Sequence, residues 1–246
     1  MTADRTDIRW RATGPYLPTS VLKPALIEET GQFLVSYART GDVAGARRQL
    51  VSSDLAQRSI FSRTTLAKII RMRLVAWNPP AWVLDDLISF AEDDHQPCLP
   101  SALLLHLARQ DMLLYDLVQR VIVPRWESGE RTVVRGDVQR FLDEAEPEHP
   151  EIGGWTHATR EKLASNALTL LRDHGLMRGA SHSHQQKQIV EPVVPGPVAH
   201  HLVRLLGAEG LATEEIVDHP DWHLWLWDGR RARAAVAAAA EKESVV

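Results

Sequence analysis

Arg58, Arg63, Lys68, Arg71 and Arg73 all fall between residues 55 and 84, a stretch without one carboxylate. Long cations with no acid beside them suit electrostatic capture of phosphate and not bond-making chemistry. The rest of the chain sharpens the contrast, because its formal net charge is −4. A generally polybasic binder is excluded, so any site for a polyanion must be local.

Other chemistry-bearing residues offer less. The chain has no GxxxxGK[ST], GxGxxG, HExxH or GxSxG pattern. Histidines pair at His182/His184, His200/His201 and His219/His223. The last pair has the i, i+4 spacing of a metal site, but Pro220 interrupts a helix there, so no metal is expected. Glu28 and Glu29 read as surface acids. Cys98 is the only cysteine, which excludes an internal disulfide and a cysteine-based zinc site. With no base in reach, Cys98 is a poor nucleophile. The expectation is a protein without catalytic residues or cofactor. The start, MTADRTDIRW, lacks the apolar core of a secretory signal, and no apolar run approaches the roughly 20 residues of a spanning helix. A reducing cytoplasm fits.

The elements that must position the cations are helical. Residues 1–20, with Gly14, Pro15 and Pro18, read as an irregular arm. Helices are expected at 23–39, closed near Gly41, and from the capping residue Asp42 through DVAGARRQLVSSD. Ser62-Arg63-Thr64-Thr65 reads as the start of the basic helix, which must stop before Asn78-Pro79-Pro80. Further helices follow at 81–92 and 100–123. PRWESGER at 124–131 marks a break, giving lobes over 21–125 and 126–246. In the second lobe Asp137 caps one helix, and Thr156 caps another that runs to His174 and stops at Gly175. Two extended pieces in LMRGASHSHQQKQIVEPVV follow. Helix, turn, helix and hairpin is the order of a winged helix-turn-helix. A helix over 196–207 and an alanine-rich tail complete the chain, with Trp222, Trp225 and Trp227 anchoring the tail to the core.

A helical wheel separates the two faces of the basic helix. Leu66, Ile69, Ile70 and Leu74 face a core, while Thr64, Lys68 and Arg71 point away. Arg63 lies near N–H groups that suit phosphate, and Arg73 falls inside the apolar arc, where it must be buried at its stem or paired. In the second lobe Leu163, Ala164, Ala167, Leu170 and Leu171 form the buried stripe. Arg160, Lys162, Ser165, Asn166, Thr169 and Arg172 supply the polar side, a composition suited to a major groove. Arg178 and Lys187 are the expected phosphate contacts of the wing. Acidic runs at Asp85–Asp94 and Asp143–Glu151 flank both basic segments and would repel phosphate from the wrong faces.

ETGQFLVSYARTGDVAGARRQLV, RSIFSRTTLAKIIRMRL and LPSALLLHLARQDMLLYDLVQRVI appear in that order. FLDEAEPEHPEIGGWTHATREKLASNALTLLRDHGLM and HPDWHLWLW follow. This ordered set, across residues 24–230, resembles the BrxA family of BREX bacteriophage-resistance systems. The resemblance implies a small, mostly helical cytoplasmic protein with helix-turn-helix-like parts that binds double-stranded DNA beside other BREX proteins. The combined expectation is a mainly α, two-lobed, non-enzymatic DNA binder that acts mainly through phosphate contacts. Its first lobe would be helix-turn-helix-like and its second winged-helix-like. A protein–protein adaptor within the defence complex, or a repressor of its own operon, would use the same surfaces. Oligomeric state is open.

Overall fold

The segment Leu103-Leu104-Leu105-His106-Leu107-Ala108 has no solvent-facing side, and every residue of it is buried. A computed structural model describes residues 11–21, 25–52, 59–93, 95–179 and 186–243. In it the chain is mainly α. Helix α6 (Cys98–Gln110) forms the axis, with every residue from Ser101 to Arg109 buried. A helix buried on every side can be stable only where other elements cover each side. Here α4 (Ile60–Leu74), α5 (Ala81–Glu92) and α11 (Gly196–Ala208) do so. Outside them, α2 (Ile27–Thr40) packs on both α3 (Val43–Ser52) and α5. A short first helix, α1 (Pro18–Val21), touches α10 (His157–Asp173).

The expected helix over 100–123 is two helices. Asp111 leaves the helical region at φ −134° and ψ 97°, and its carboxylate accepts from the Leu114 N–H at 3.1 Å. Asp111 thus acts as an N-cap in the middle of an apolar run and re-aims α7 (Met112–Leu117). A π turn over Val118–Ile122 then leads into α8 (Val123–Glu127). Pro124 cannot donate to the carbonyl four residues back, which accounts for the widened turn.

In the second half, β1 (Thr132–Val133) precedes α9 (Arg135–Ala145), and α10 is followed by β2 (Met177–Arg178) and β3 (Lys187–Ile189). The three strands form an antiparallel sheet of order β1-β3-β2, with Thr132 opposite Gln188 and Met177 opposite Ile189. Asp137 does not cap α9 from the front. It lies one turn inside the helix, where its carboxylate accepts from the Val134 N–H at 2.8 Å and from Arg125 at 2.7 Å. Thr156 does cap α10, accepting from the Thr159 N–H at 3.2 Å, and Gly175 ends that helix at φ 85°. Thr156→Ala should lower stability by about 1 kcal/mol in urea unfolding.

Buried contacts tie the chain ends to this frame. Tyr16 stacks on His149 with ring centroids 3.6 Å apart and donates its hydroxyl to Asp116 at 2.7 Å. The 3₁₀ turn Pro220–Trp225 and the short α12 (Thr213–Val217) precede the tail helix α13 (Gly229–Glu243). Trp225 donates its ring N–H to the Ser101 carbonyl at 3.2 Å, and Trp222 donates to the Ile216 carbonyl at 2.7 Å. Trp227 stacks on Trp222. These rings are anchors for the tail.

Candidate nucleic-acid interface

The basic helix α4 begins two residues earlier than expected. Ser59 is its N-cap, accepting from the Ser62 N–H at 3.2 Å, and the helix ends at Leu74 instead of near Trp77. Leu66, Ala67, Ile70 and Leu74 are buried, so the inward arc is as expected, with Ile69 half-buried. Lys68 and Arg71 are exposed, and Arg63 and Thr64 half-buried. Arg73 turns inward and donates to the Ala25 carbonyl at 3.1 Å; burial pulls its guanidinium down to about 10. Arg58 lies outside the described residues.

The neighbouring helix supplies what the wheel of α4 alone could not. Arg47 and Arg48 of α3 are exposed and line a shallow groove with Arg63, Thr64, Val51 and Ile60. The groove measures about 560 Å³. Neither α3 nor α4 carries a carboxylate. Three arginines thus meet along one groove, and Lys68 and Arg71 extend the positive surface along α4. Local field, not net charge, decides what such a surface attracts. Arg47 and Arg48 were visible in the sequence as a charged pair on a predicted helix, but only the packing of α3 on α4 makes them neighbours of Arg63.

The candidate residues in the second half of the chain divide differently. Lys162 is exposed on α10, with Ser165, Asn166 and Thr169 half-buried on the same outward side. Thr169 donates its hydroxyl to the Ser165 carbonyl at 3.0 Å. Arg160 points the other way. Its guanidinium donates to Asp143 at 2.8 Å, to Glu146 at 2.7 Å and to the Ile152 carbonyl at 3.0 Å. It therefore clasps α9 and the following turn onto α10. Arg172 is paired with the adjacent Asp173. Arg178 is exposed, but Lys187 is buried, contrary to an exposed wing contact. Burial, with the Arg172 charge adding, holds the Lys187 ammonium below its usual value. The stretch between the two extended pieces, with the His182/His184 pair, lies outside the described residues.

The buried histidines form a relay that sequence spacing could not reveal. His201 Nδ1 is 2.7 Å from Asp86 Oδ2, and His201 Nε2 is 2.9 Å from His106 Nε2. A carboxylate only accepts, so His201 carries its proton on Nδ1 and His106 donates from Nε2. Arg204 holds the same carboxylate at 2.9 Å. Both rings are buried, among Trp77, Trp82 and Phe90. With no solvent face for a reactant, the relay fastens α5, α6 and α11 together. Among the described residues no group of three or more His, Cys, Asp or Glu side chains is placed to hold a metal ion.

The fold and this groove define a mainly helical protein with a cationic groove between α3 and α4. The BrxA family model matches residues 18–205, and the chain belongs to the BrxA family. It is therefore a component of the BREX type of phage-defence system. No curated protein matches it. Among solved structures, an uncharacterized protein from Magnetospirillum magneticum has a similar fold, with a TM-score of 0.61 at 16% identity. The match covers 80% of this chain and 96% of that one. Among the described residues no helix is long and apolar enough to cross a membrane.

Proposed function

We propose that this protein is a non-enzymatic, double-stranded DNA-binding component of its defence system, holding the duplex mainly by its phosphates. The groove between α3 and α4 carries the reading: Arg47, Arg48 and Arg63 converge, Lys68 and Arg71 continue the surface, and no carboxylate lies on either helix. Phosphate contacts position a protein on a duplex without reading its sequence. In this view α3 and α4 act as a helix-turn-helix-like pair.

The second lobe supports the same reading. Strand, helix, helix, strand, strand, with sheet order β1-β3-β2, is the arrangement of a winged helix. Its recognition helix would be α10, presenting Lys162, Ser165, Asn166 and Thr169. Because Arg160 and Arg172 are held in ion pairs and Lys187 is buried, that surface supplies fewer charges than the first. The α3–α4 groove is the stronger phosphate contact.

The test is fluorescence-polarisation titration of a random-sequence duplex across a salt series. The wild type should bind with a steep salt dependence. Lys68→Glu/Arg71→Glu should weaken binding on the order of tenfold or more and lower the log–log salt slope by about 2, roughly one for each lost contact. Circular dichroism should be unchanged, since both side chains are exposed. A wild type that fails to bind at low salt would sink the proposal and put the adaptor reading first.

A further inference from the structure

The outward face of α4 is not purely polar. Phe61 is 82% exposed and Met72 56%, and Ile60 beside them is 67% exposed. Counting along the helix, Phe61, Lys68 and Met72 are i, i+7 and i+11, which places them within a strip roughly 40° wide. Thr64, Thr65 and Arg71 border the strip. The inward side is already filled by Leu66, Ala67, Ile70 and Leu74, so these apolar groups cannot be a misplaced part of the core. The Phe61 end of the strip adjoins the groove, since Ile60, Arg63 and Thr64 line it with Arg47 and Arg48.

An exposed ring on the same strip as Lys68, with the arginine groove adjoining, limits what can cover it. An apolar protein surface would bury the ring but strip water from the arginines without repaying them. A duplex offers both chemistries at the right scale, because two rails of phosphate flank a stack of apolar base faces. Phe61 also stands in the first turn of a helix whose start is fixed by the Ser59 cap. The ring is therefore held on a rigid base.

We propose that Phe61 inserts between adjacent base pairs as an apolar wedge, while Lys68 and Arg71 on the outward side of α4, with Arg47 and Arg48 of the adjoining groove, hold the flanking phosphates and the duplex kinks. This rests on the DNA-binding reading. Apolar wedges of this kind unstack a step and bend the duplex. Pyrimidine–purine steps unstack most easily, so binding would favour them without any hydrogen-bonded base readout.

The experiment uses the full-length protein and a duplex with 2-aminopurine at a central TA step and a donor–acceptor dye pair on its ends. At saturation the wild type should raise 2-aminopurine fluorescence and shorten the end-to-end distance. Phe61→Ala should still bind with an unchanged salt slope but lose both signals, and Phe61→Leu should keep part of them. Complete loss of binding in Phe61→Ala, with Phe61→Leu retaining both signals, supports the wedge as well. Wild-type binding without either signal, or signals that survive in Phe61→Ala, overturns the wedge and leaves the phosphate reading standing. A wild type that does not bind the duplex overturns both.

Discussion

Replacing Arg109 with methionine should cost about 3–5 kcal/mol of stability, the range for breaking a buried ion pair by removing one partner. The side chain of Arg109 is 1% exposed, and its guanidinium spans Asp221, fully buried, and Glu209, 7% exposed. Asp221 also accepts from the Tyr115 hydroxyl at 3.0 Å, and Arg11 sits over the Tyr115 ring. The backbone joins in, because the Arg109 carbonyl accepts from the Ala12 N–H at 2.7 Å. Arg109 thus ties the arm through its carbonyl and the Pro220–Trp225 turn through its guanidinium, and Asp221 extends the network to Tyr115 of α7. Methionine fills similar volume but takes from Asp221 and Glu209 their shared cation, leaving Asp221 with the more distant Arg11, at 3.9 Å. Each carboxylate must then take up a proton or admit solvent.

Controls separate charge from shape. Arg109→Lys keeps the charge but cannot reach both carboxylates with a planar fork, so it should recover only part of the loss. Arg109→Met combined with Asp221→Leu removes the more deeply buried of the two carboxylates and should be more stable than Arg109→Met alone, a non-additivity expected of coupled sites. Urea unfolding reads all of these. A loss below about 1 kcal/mol for Arg109→Met would mean that the network is solvated and no keystone.

How far the sequence foretold this molecule depends on the range of the interaction involved. Helix α5 falls at 81–92 as expected, because Pro80 and the apolar spacing are local signals. The stops at Gly41 and Gly175 are local too, and both have the positive φ that favours glycine, 71° and 85°. Strand β1 was not legible: two residues in RTVV carry no pattern, and only pairing with β3 defines them. Asp111 was missed for the opposite reason. It sits inside a long apolar run whose periodicity outweighs one acidic residue until the cap is seen.

Site residues follow the same rule. The outward placement of Lys68 and Arg71 is a property of one helix, so a wheel finds it. Whether a cation is available depends on its partners elsewhere, and Arg160 meets Asp143 and Glu146 only when α9 folds against α10. The acidic run before α10, read as an electrostatic guard, partly serves as that clasp. Phe61 had a sequence signal that went unused. It lies seven residues before Lys68, on the same side, which is the wrong place for a core phenylalanine.

Acidification below about pH 6.5, the usual histidine value, should destabilise the fold steeply. Burial lowers the His106 value well below 6.5, and the neighbouring His201 and Arg109 charges push the same way. Burial lowers His201 too, against the opposing pull of Asp86. His174 is brought to about 4, again mainly by burial, against its bond to the Pro100 carbonyl. Below 6.5 the unfolded chain takes up protons that the folded chain refuses, so stability rises with pH until these groups are neutral in both states. Each such histidine contributes a slope of about 1.4 kcal/mol per pH unit between 6.5 and its folded value. Asp86 acts in a lower window. Its burial is outweighed by His201 and Arg204, which hold its carboxyl below 3.8, so its contribution is lost only in stronger acid. The relay explains why the rings stay neutral: a second proton on His201 would set two N–H groups against each other across 2.9 Å. His106→Gln keeps a donor for His201 but cannot titrate. Its urea-unfolding stability should therefore fall between pH 6.5 and 5 with a slope about one proton shallower than the wild type. Equal slopes would show that His106 takes no part in the acid limb and would leave His201 and His174 to account for it.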